Sequence, residues 1–218
     1  MINARLAKYP RKVMSWWQTV KPVFTKDSLL INNFQVMQRW EDGYMKSLAA
    51  IATSKGGYIL EVGFGMGISA GYIQKSPKIK THTIIECHPD IIASAKNKFS
   101  NELKSGRMKL LNGFWEDVVP TLADKSFDGI LFDSCPLDSG IEFFQFFPFF
   151  SEAYRLLKDD GIFTYFSDEA IEISEDHLEL LKKVGFKSIN FKICAVRPPK
   201  TCEYWKYNTI VSPIVKKS

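Results

Sequence analysis

The chain has 218 residues, of which 45% are hydrophobic and 24% are charged, and this composition is typical of one folded domain with its own core. Its net charge is only +5 and its lysines are scattered, without the basic stripe or tail of a nucleic-acid-binding protein. The four cysteines form neither a CxxC pair nor a Cys/His zinc pattern, so we expect no metal site and a reducing, cytoplasmic setting. The N-terminus is polar and basic, and the phenylalanine-rich run 143–150 is short, so we expect neither a signal peptide nor a membrane span.

The N-terminal part of the chain divides into two predicted segments. Residues 1–35 contain many aromatic side chains but little periodicity, and we interpret them as an N-terminal extension and a candidate lid over the active site. Within residues 33–54, apolar side chains recur at spacings of three and four, which predicts a helix that ends before Gly56 and Gly57. We expect residues 36–218 to form the main domain.

From residue 58 onward, predicted strands alternate with predicted helices. The strands fall at 58–62, 81–87, 107–113, 127–133, 161–167, 188–196 and 207–215, and the helices at 68–74, 88–100, 143–158 and 174–186. Such alternation predicts a parallel sheet covered by helices on both faces. Because no helix separates the last two strands, we expect them to pair antiparallel. The sequence therefore predicts an α/β, Rossmann-like fold with a seven-stranded, mostly parallel sheet and an antiparallel C-terminal strand.

A glycine-rich turn follows the first of these strands and reads Glu61-Val62-Gly63-Phe64-Gly65-Met66-Gly67. Ligands of open α/β sheets bind at the carboxyl ends of the strands, and glycine lets the backbone approach them closely. A dinucleotide fingerprint has a third glycine or alanine where this chain has Ile68, so the loop favours a nucleoside without a pyrophosphate over NAD. Glu86 ends the second strand, 19 residues beyond Gly67, where a carboxylate can accept hydrogen bonds from ribose hydroxyls.

The segment after the third predicted strand, "GFWEDV" at residues 113–118, completes a candidate nucleoside pocket. Trp115 could stack on a purine, although a core position is the alternative. Glu116 or Asp117 could accept a hydrogen bond from an exocyclic amine. Together with the glycine loop and Glu86, this segment indicates a pocket for S-adenosylmethionine and favours a class I methyltransferase.

Six segments of the chain resemble the guanidinoacetate N-methyltransferase family. They are "VMQRWEDGYM" (36–45), "SKGGYILEVGFGMG" (54–67), "IIEC" (84–87), "GFWEDVVPTLADKSFDGILFDSCPL" (113–137), "RLLKDDGIFTY" (155–165) and "VSPIVKK" (211–217). The resemblance is colinear from about residue 36 to the end, and its "RWE…GYM" and "ILEVGFGM" blocks are more specific than a general methyltransferase loop. It implies an enzyme that methylates a small-molecule guanidine with S-adenosylmethionine.

The resemblance also implies where a guanidinium would bind. The family holds this cation between two carboxylates, which here would be Glu41 and Asp133, and several planar N–H donors suit two fixed acceptors. Asp133 is the candidate for orienting the cation and taking its proton, and Glu41 is the second clamp. A tryptophan of the family's N-terminal lid would fall on Trp16 or Trp17. The cofactor-binding residues predicted in this way are Met37, Tyr44, Glu61, Gly63, Phe64, Gly65, Met66, Gly67, Glu86, Cys87, Gly113, Phe114, Trp115, Glu116 and Asp133.

Two departures from the family pattern concern the far end of the substrate. The family has Thr-Tyr-Pro-Leu after the aspartate of strand four, where this chain has Ser134-Cys135-Pro136-Leu137, so a tyrosine hydroxyl is missing. The family's neutral stretch after strand five, which binds the substrate carboxylate through backbone amides, is Ser167-Asp168-Glu169 here. Unless both acids point to solvent, they would repel a carboxylate and attract an ammonium.

We therefore expect a guanidine with a cationic tail as substrate. Agmatine is the first candidate and arginine the second, and guanidinoacetate, which would give creatine, is the alternative. The substrate-contacting residues predicted in this way are Trp16, Trp17, Glu41, Asp133, Cys135, Ser167, Asp168 and Glu169.

Three other classes of protein remain as alternatives. Base methyltransferases that act on exocyclic amines of nucleic acids usually carry Asn/Asp-Pro-Pro-aromatic after strand four, and Asp133-Ser134-Cys135-Pro136 lacks the double proline. A non-catalytic cofactor-binding module would be free to lose the carboxylates and glycines that this chain retains. A NAD-dependent oxidoreductase is disfavoured by the spacing of the glycine loop. The sequence leaves the oligomeric state open, a homodimer included.

Overall fold

A seven-stranded sheet forms the centre of the computed structural model, which describes residues 11–134 and 146–217. The strands are β1 (Pro22–Phe24), β2 (Ser28–Ile31), β3 (Phe34–Gln38), β4 (Gly57–Val62), β5 (Ile79–Glu86), β6 (Met108–Asn112), β7 (Phe127–Phe132), β8 (Leu157–Tyr165), β9 (Ser188–Ala195) and β10 (Thr209–Lys216). The helices are α1 (Arg11–Thr19), α2 (Asp42–Ala52), α3 (Ile68–Lys75), α4 (Pro89–Lys98), α5 (Ser100–Lys104), α6 (Trp115–Val118), α7 (Phe146–Leu156) and α8 (Glu175–Val184). Short 3₁₀ turns occupy Arg39–Glu41 and Val119–Thr121.

The strand order of the large sheet is β6-β5-β4-β7-β8-β10-β9. The first five strands in this order are parallel, whereas β10 pairs antiparallel with both β8 and β9, which confirms the predicted α/β fold. The chain leaves β4 toward β5 on one side and later returns to β7 on the other. The carboxyl edge at β4 is therefore a topological switch point, where ligands of such sheets bind. Gly63 and Asp133 follow β4 and β7, Glu86 ends β5, and all three lie at this edge.

Helices cover both faces of the sheet, as predicted, and divide the core in two. Side chains of a strand alternate between faces, so Leu131 packs in the core beside α2 while Ile130 and Phe132 pack in the core beside α7. The Phe149 and Phe150 side chains are fully buried in this second core, which assigns part of the phenylalanine-rich run to packing. Among the described residues, none of the helices combines the length and the apolar character that a membrane crossing requires.

Two predicted helix boundaries need correction. The predicted helix 143–158 ends at Leu156, and the following residues start β8; residues 143–145 lie outside the described part of the chain. Residues 33–54 are not one helix, because Phe34–Gln38 forms β3 and joins β1 and β2 in a three-stranded antiparallel sheet. The helix α2 begins only at Asp42.

The break before α2 has a local cause. The backbone N–H of Gln38 donates to the Glu41 carboxylate at 2.7 Å, which closes the tight turn between strand and helix. The spacing of apolar residues in this segment resembled that of a helix. A strand followed by a tight turn places apolar side chains in one core at similar intervals along the sequence. β3 also crosses residue 35, the predicted end of the N-terminal extension, and the domain boundary itself stays a prediction.

Candidate active site

The glycine loop after β4 lies against Asp133 and Met37. Gly63 and Gly65 have φ angles of 89° and 52°, in the left-handed region that glycine occupies without strain. A Cβ atom on Gly63 would overlap the backbone oxygen of Asp133, and one on Gly65 would stand 2.9 Å from Met37 Sδ. The Met66 N–H also points to Met37 Sδ, at 3.3 Å. The structure thus brings the predicted loop residues together with Met37 and Asp133.

The far end of the loop is held by Phe64 and Lys98. Phe64 is buried, and its ring packs so closely on Gly67 that a Cβ atom there would overlap it. Lys98 Nζ donates to the backbone oxygens of Met66 and Gly67 at 3.0 and 3.1 Å. Burial, and then the charge of Arg39, lower the pKa of Lys98. Lys98 was not predicted as a site residue, because a surface lysine at the end of a helix carries no sequence signal.

Glu86, the predicted ribose ligand, ties the glycine loop to the end of β5. Its Oε2 accepts from the Phe64 N–H at 3.0 Å, and its Oε1 accepts from the Cys87 and His88 N–H groups at 2.8 and 2.9 Å. A carboxylate offers about four acceptor positions. These three bonds therefore leave capacity for a ribose hydroxyl, and the ribose contact of Glu86 stays a prediction.

Glu61 lies behind the loop, in the core of the sheet. It is fully buried, accepts from Ser69 Oγ, and lies 2.9 Å from His82 Nε2. His82 Nδ1 in turn lies 3.1 Å from Gln74 Nε2. Glu61 is thus held by Ser69 and lies beside His82. Its predicted contact with the cofactor stays a prediction.

The end of β6 brings Gly113, Phe114, Trp115 and Glu116 beside β5. The Gly113 N–H donates to the backbone oxygen of Glu86 at 3.0 Å, and Phe114 and Glu116 are buried.

Trp115 is buried in the core beside β7, and Cys87 is a partly buried free cysteine after β5. Trp115 is only 6% exposed and packs edge-on against Phe132 and Phe149, with ring centroids 5.7 and 5.4 Å apart, as the core alternative expects. Burial, followed by the charge of Glu86, raises the pKa of the Cys87 thiol. Purine stacking by Trp115 stays a prediction.

The N-terminal helix α1 contacts the cofactor edge of the sheet. Gln18 Nε2 donates to the Cys87 backbone oxygen at 2.9 Å, and His88 Nε2 lies 2.8 Å from the backbone oxygen of Val20. Trp17 is buried in the core, whereas Trp16 is 39% exposed. Helix α1 therefore lies where a lid over the cofactor would attach, and closure by either tryptophan stays a prediction.

Glu41 is a buried carboxylate at the start of α2. Its Oε1 accepts from the Gln38 N–H at 2.7 Å and from the Tyr204 hydroxyl at 2.5 Å. Burial raises the pKa of Glu41 to about 7, and the two hydrogen bonds counteract part of this rise.

Asp133 and Asp168 complete a group of acids with Glu41. Burial, and then the charges of Glu41, Glu61 and Asp168, raise the pKa of Asp133 well above its usual range. Asp168 lies after β8 with part of its side chain in solvent, and burial together with Glu169 raises its pKa to about 6. The charges of Glu41 and Asp168 both act on Asp133, so a cation beside Asp133 would be stabilised.

The acids of the Ser167-Asp168-Glu169 stretch have different surroundings. The Ser167 hydroxyl donates to the Val211 backbone oxygen at 2.8 Å and accepts from the Glu169 N–H at 3.2 Å. The Glu169 carboxylate accepts from the Ser174 N–H at 3.3 Å, at the start of α8, whereas the charge of Asp168 acts on Asp133. Contact of Asp168 or Glu169 with the substrate stays a prediction.

Tyr44 and Tyr204 are aromatic residues of this edge, and only the first was predicted. Tyr44 is fully buried, donates to the Val211 backbone oxygen at 2.9 Å and accepts from the Ser167 N–H at 3.2 Å. Tyr204 was missed because 163 residues separate it from Glu41. Cys135, the remaining predicted substrate contact, lies outside the described residues.

The strand order, with β10 inserted antiparallel between β8 and β9, and the glycine loop at the switch point are the arrangement of the class I methyltransferase fold. The chain belongs to the guanidinoacetate N-methyltransferase family, whose sequence model matches residues 11–218. Its cofactor is therefore S-adenosylmethionine, as predicted.

Relatives in fungi carry a different name. Protein arginine N-methyltransferase 2 of Aspergillus oryzae is 36% identical over 176 residues, which cover 78% of this chain and 41% of that protein. The protein of the same name from Saccharomyces cerevisiae is 32% identical over 154 residues, which cover 65% of this chain and 35% of that protein. The chain thus spans about two fifths or less of the length of these relatives.

Solved structures share the fold at low sequence identity. Spermidine synthase in complex with the transition-state analogue AdoDATO superposes with a TM-score of 0.68 at 16% identity, over 91% of this chain and 73% of that one. A precorrin-6y C5,15-methyltransferase from Geobacter metallireducens superposes with a TM-score of 0.57 at 14% identity, over 79% and 87%. These likenesses support the Rossmann-like fold alone.

Proposed function

We propose that the protein transfers a methyl group from S-adenosylmethionine to a nitrogen of a small-molecule guanidine with a cationic tail, agmatine first and arginine second. The observation that carries this proposal is the group of three carboxylates, Glu41, Asp133 and Asp168, beside the glycine loop. Burial, and then the charges of Glu41, Glu61 and Asp168, raise the pKa of Asp133, and such a group of acids is costly unless a cation neutralises it. A guanidinium presents planar N–H donors to two carboxylates, and a second positive group would satisfy the third.

Asp133 is the proposed proton acceptor. A guanidinium nitrogen has no free lone pair, so an N–H bond must break as the new N–C bond forms, and the proton passes to the Asp133 carboxylate. Burial and the neighbouring acids raise the pKa of Asp133, which improves its ability to take that proton. When bound, S-adenosylmethionine would supply the methyl group from its sulfonium, and the electrons of the broken S–C bond would stay on sulfur as a neutral thioether. Glu41 and Asp133 orient the accepting nitrogen toward that methyl group.

Asp168 is the proposed contact for the far end of the substrate. Its backbone has a φ angle of 54°, and its charge reaches Asp133, so it stands beside the proposed guanidinium clamp. A carboxylate tail, as in guanidinoacetate, would meet repulsion from Asp168, whereas an ammonium would be attracted. Glu169 is engaged at the start of α8 and has no part in this proposal.

An arginine side chain within a polypeptide is a second candidate. The curated relatives are named protein arginine N-methyltransferase 2, and an arginine side chain presents the same guanidinium as agmatine. In that case Asp168 would face the backbone or a neighbouring residue of the polypeptide.

A substrate panel tests both candidates. Methylation of agmatine, arginine, guanidinoacetate and a short arginine-containing peptide is compared for the wild type, Asp168→Asn and the matched control Glu169→Gln. Asparagine tolerates the left-handed backbone of residue 168. We expect the wild type to prefer agmatine, and Asp168→Asn to reduce the agmatine-to-guanidinoacetate ratio of kcat/KM about five-fold, the effect of ~1 kcal/mol from one partly exposed charge.

Other results of this panel would contradict the proposal. A wild-type preference for guanidinoacetate would refute the proposal that the substrate carries a cationic tail. A preference for the peptide would favour the second candidate. If Glu169→Gln changed the agmatine-to-guanidinoacetate ratio of kcat/KM as much as Asp168→Asn, the proposed contact between Asp168 and the substrate tail would be refuted. The absence of methylation of every guanidine would refute the proposed function.

A further inference from the structure

A loop near the end of the chain reaches the Glu41 carboxylate. The loop, residues 196–208, joins β9 to β10 and is fixed to β3 through Gln35. Gln35 Nε2 donates to the Thr201 backbone oxygen at 2.9 Å, and Gln35 Oε1 accepts from the Glu203 N–H at 2.9 Å. Two hydrogen bonds to one side chain hold the loop in a defined position over the N-terminal sheet.

Tyr204 is the residue that this loop brings to the site. Its ring lies beside Trp40, with 5.8 Å between the ring centroids, and its hydroxyl donates to Glu41 Oε1 at 2.5 Å. The Gln38 N–H donates to the same oxygen at 2.7 Å. Two donors on Oε1 fix the rotation of the carboxylate, which leaves Oε2 as the oxygen for a bound cation.

One acid and one hydroxyl face Glu41 from other parts of the fold. The charge of Glu41 acts on Asp133 at the end of β7 and on Tyr204 in the loop. Burial raises the pKa of Glu41 to about 7, and the hydrogen bonds from Tyr204 and Gln38 lower it. Burial, and then the charge of Glu41, raise the pKa of Tyr204, so the phenol keeps its proton and remains a donor.

We propose that Tyr204 is a positioning residue for methyl transfer, because its hydroxyl keeps Glu41 ionised and directs Oε2 toward the guanidinium. Tyr204 acts through Glu41 and is assigned no contact with the reacting atoms. The proposal rests on the proposed function, since the guanidinium is the cation that Glu41 would bind. A carboxylate with a donated hydrogen bond is stabilised in its charged form.

The first test compares the pH dependence of two tyrosine variants. Tyr204→Phe keeps the ring beside Trp40 and removes the hydroxyl, and Tyr207→Phe is the matched control, because Tyr207 is an exposed tyrosine of the same loop. We measure kcat/KM for agmatine from pH 6 to 9. We expect Tyr204→Phe to move the acidic limb upward by about one pH unit, with a loss of about five-fold at pH 7 and near-complete recovery at pH 9. A loss that is equal at every pH would overturn the proposal.

The second test needs no substrate. The titration of the Glu41 carboxyl is followed by carbon-13 NMR of glutamate-labelled protein in an Asp133→Asn background, which removes coupling to the neighbouring acid. The Glu41 signal is identified by its loss in Glu41→Gln. We expect Tyr204→Phe to raise the Glu41 titration midpoint by about one unit.

The two tests separate the two proposals. An unchanged midpoint would overturn the role of Tyr204 even if the wild type methylates agmatine. A raised midpoint in a protein that methylates no guanidine would support the hold of Tyr204 on Glu41 and would refute the proposed function instead.

Discussion

Glu41→Gln should make the protein more stable at alkaline pH while removing its activity. Glu41 is only 2% exposed, and burial raises its pKa from 4.5 to about 7. The folded protein therefore holds this proton more tightly than the unfolded chain does. The stability that the proton contributes is complete below pH 4.5 and is lost as the pH rises through 7. Glutamine keeps an oxygen for the Gln38 and Tyr204 donors but carries no charge.

The size of the effect follows from the difference between the two pKa values. One unit corresponds to ~1.4 kcal/mol, so the ionised Glu41 costs ~3 kcal/mol at pH 8 and less than ~1 kcal/mol at pH 5. For a domain of this size, 1 kcal/mol shifts the melting temperature by about 2–4 °C. We therefore expect Glu41→Gln to melt roughly 6–12 °C above the wild type at pH 8 and within about 3 °C of it at pH 5.

Thermal unfolding followed by circular dichroism at both pH values measures this difference. Glu172→Gln serves as the control, because Glu172 is exposed and its replacement should leave the melting temperature nearly unchanged. A Glu41→Gln protein that is no more stable than the wild type at pH 8 would refute the reasoning. An equal gain at pH 5 and pH 8 would show that packing, and not charge, is responsible.

Three further predictions concern the cofactor edge and the base. Asp133→Asn should reduce guanidine methylation at least ~100-fold, the loss of a general base, and leave cofactor affinity in calorimetry nearly unchanged. Gly65→Ala should weaken cofactor binding because its Cβ atom would meet Met37 at 2.9 Å, whereas Gly71→Ala, with open space around it, should raise the free energy of unfolding by ~0.5–1 kcal/mol. Because Trp115 is a core residue, Trp115→Leu should lower the free energy of unfolding by ~1–3 kcal/mol. An unchanged cofactor affinity in this variant would refute stacking of Trp115 on the purine.

The central sheet could be predicted because its signals are local. Each parallel strand from β4 to β7 is a short apolar run with a glycine, a proline or an acid close to its end, so the strands and their carboxyl edge followed from sequence alone. Asp133 and Glu86 could be placed at the same edge for this reason. The family resemblance added Glu41, which no local pattern connects to the sheet.

Features that depend on contacts between distant segments could not be predicted. The periodicity of apolar residues predicts a helix at β3, because it carries no information about the pairing of β3 with β2. The different surroundings of Asp168 and Glu169 depend on the start of α8, several residues further along the chain. Tyr204 meets Glu41, and Glu203 meets Gln35, across more than 160 residues of sequence. The composition of the loop that carries Tyr204 and Glu203 indicates only a turn.

The insertion of β10 within the sheet has a consequence for how the enzyme is made. β4, β5 and β6 are neighbours both in sequence and in the sheet, so their pairing closes short loops. The edge that carries Glu41 and Asp133 is complete only after β10 has joined the sheet. Tyr44 and Ser167 both donate to Val211 on β10, and Tyr204 lies on the loop before this strand. Because distant pairings form slowly, we expect newly synthesised molecules to acquire the nucleoside pocket before the acidic clamp. A half-folded molecule could then carry an activated methyl group but would have no means of aligning an acceptor with it, so methylation would be delayed until folding is complete.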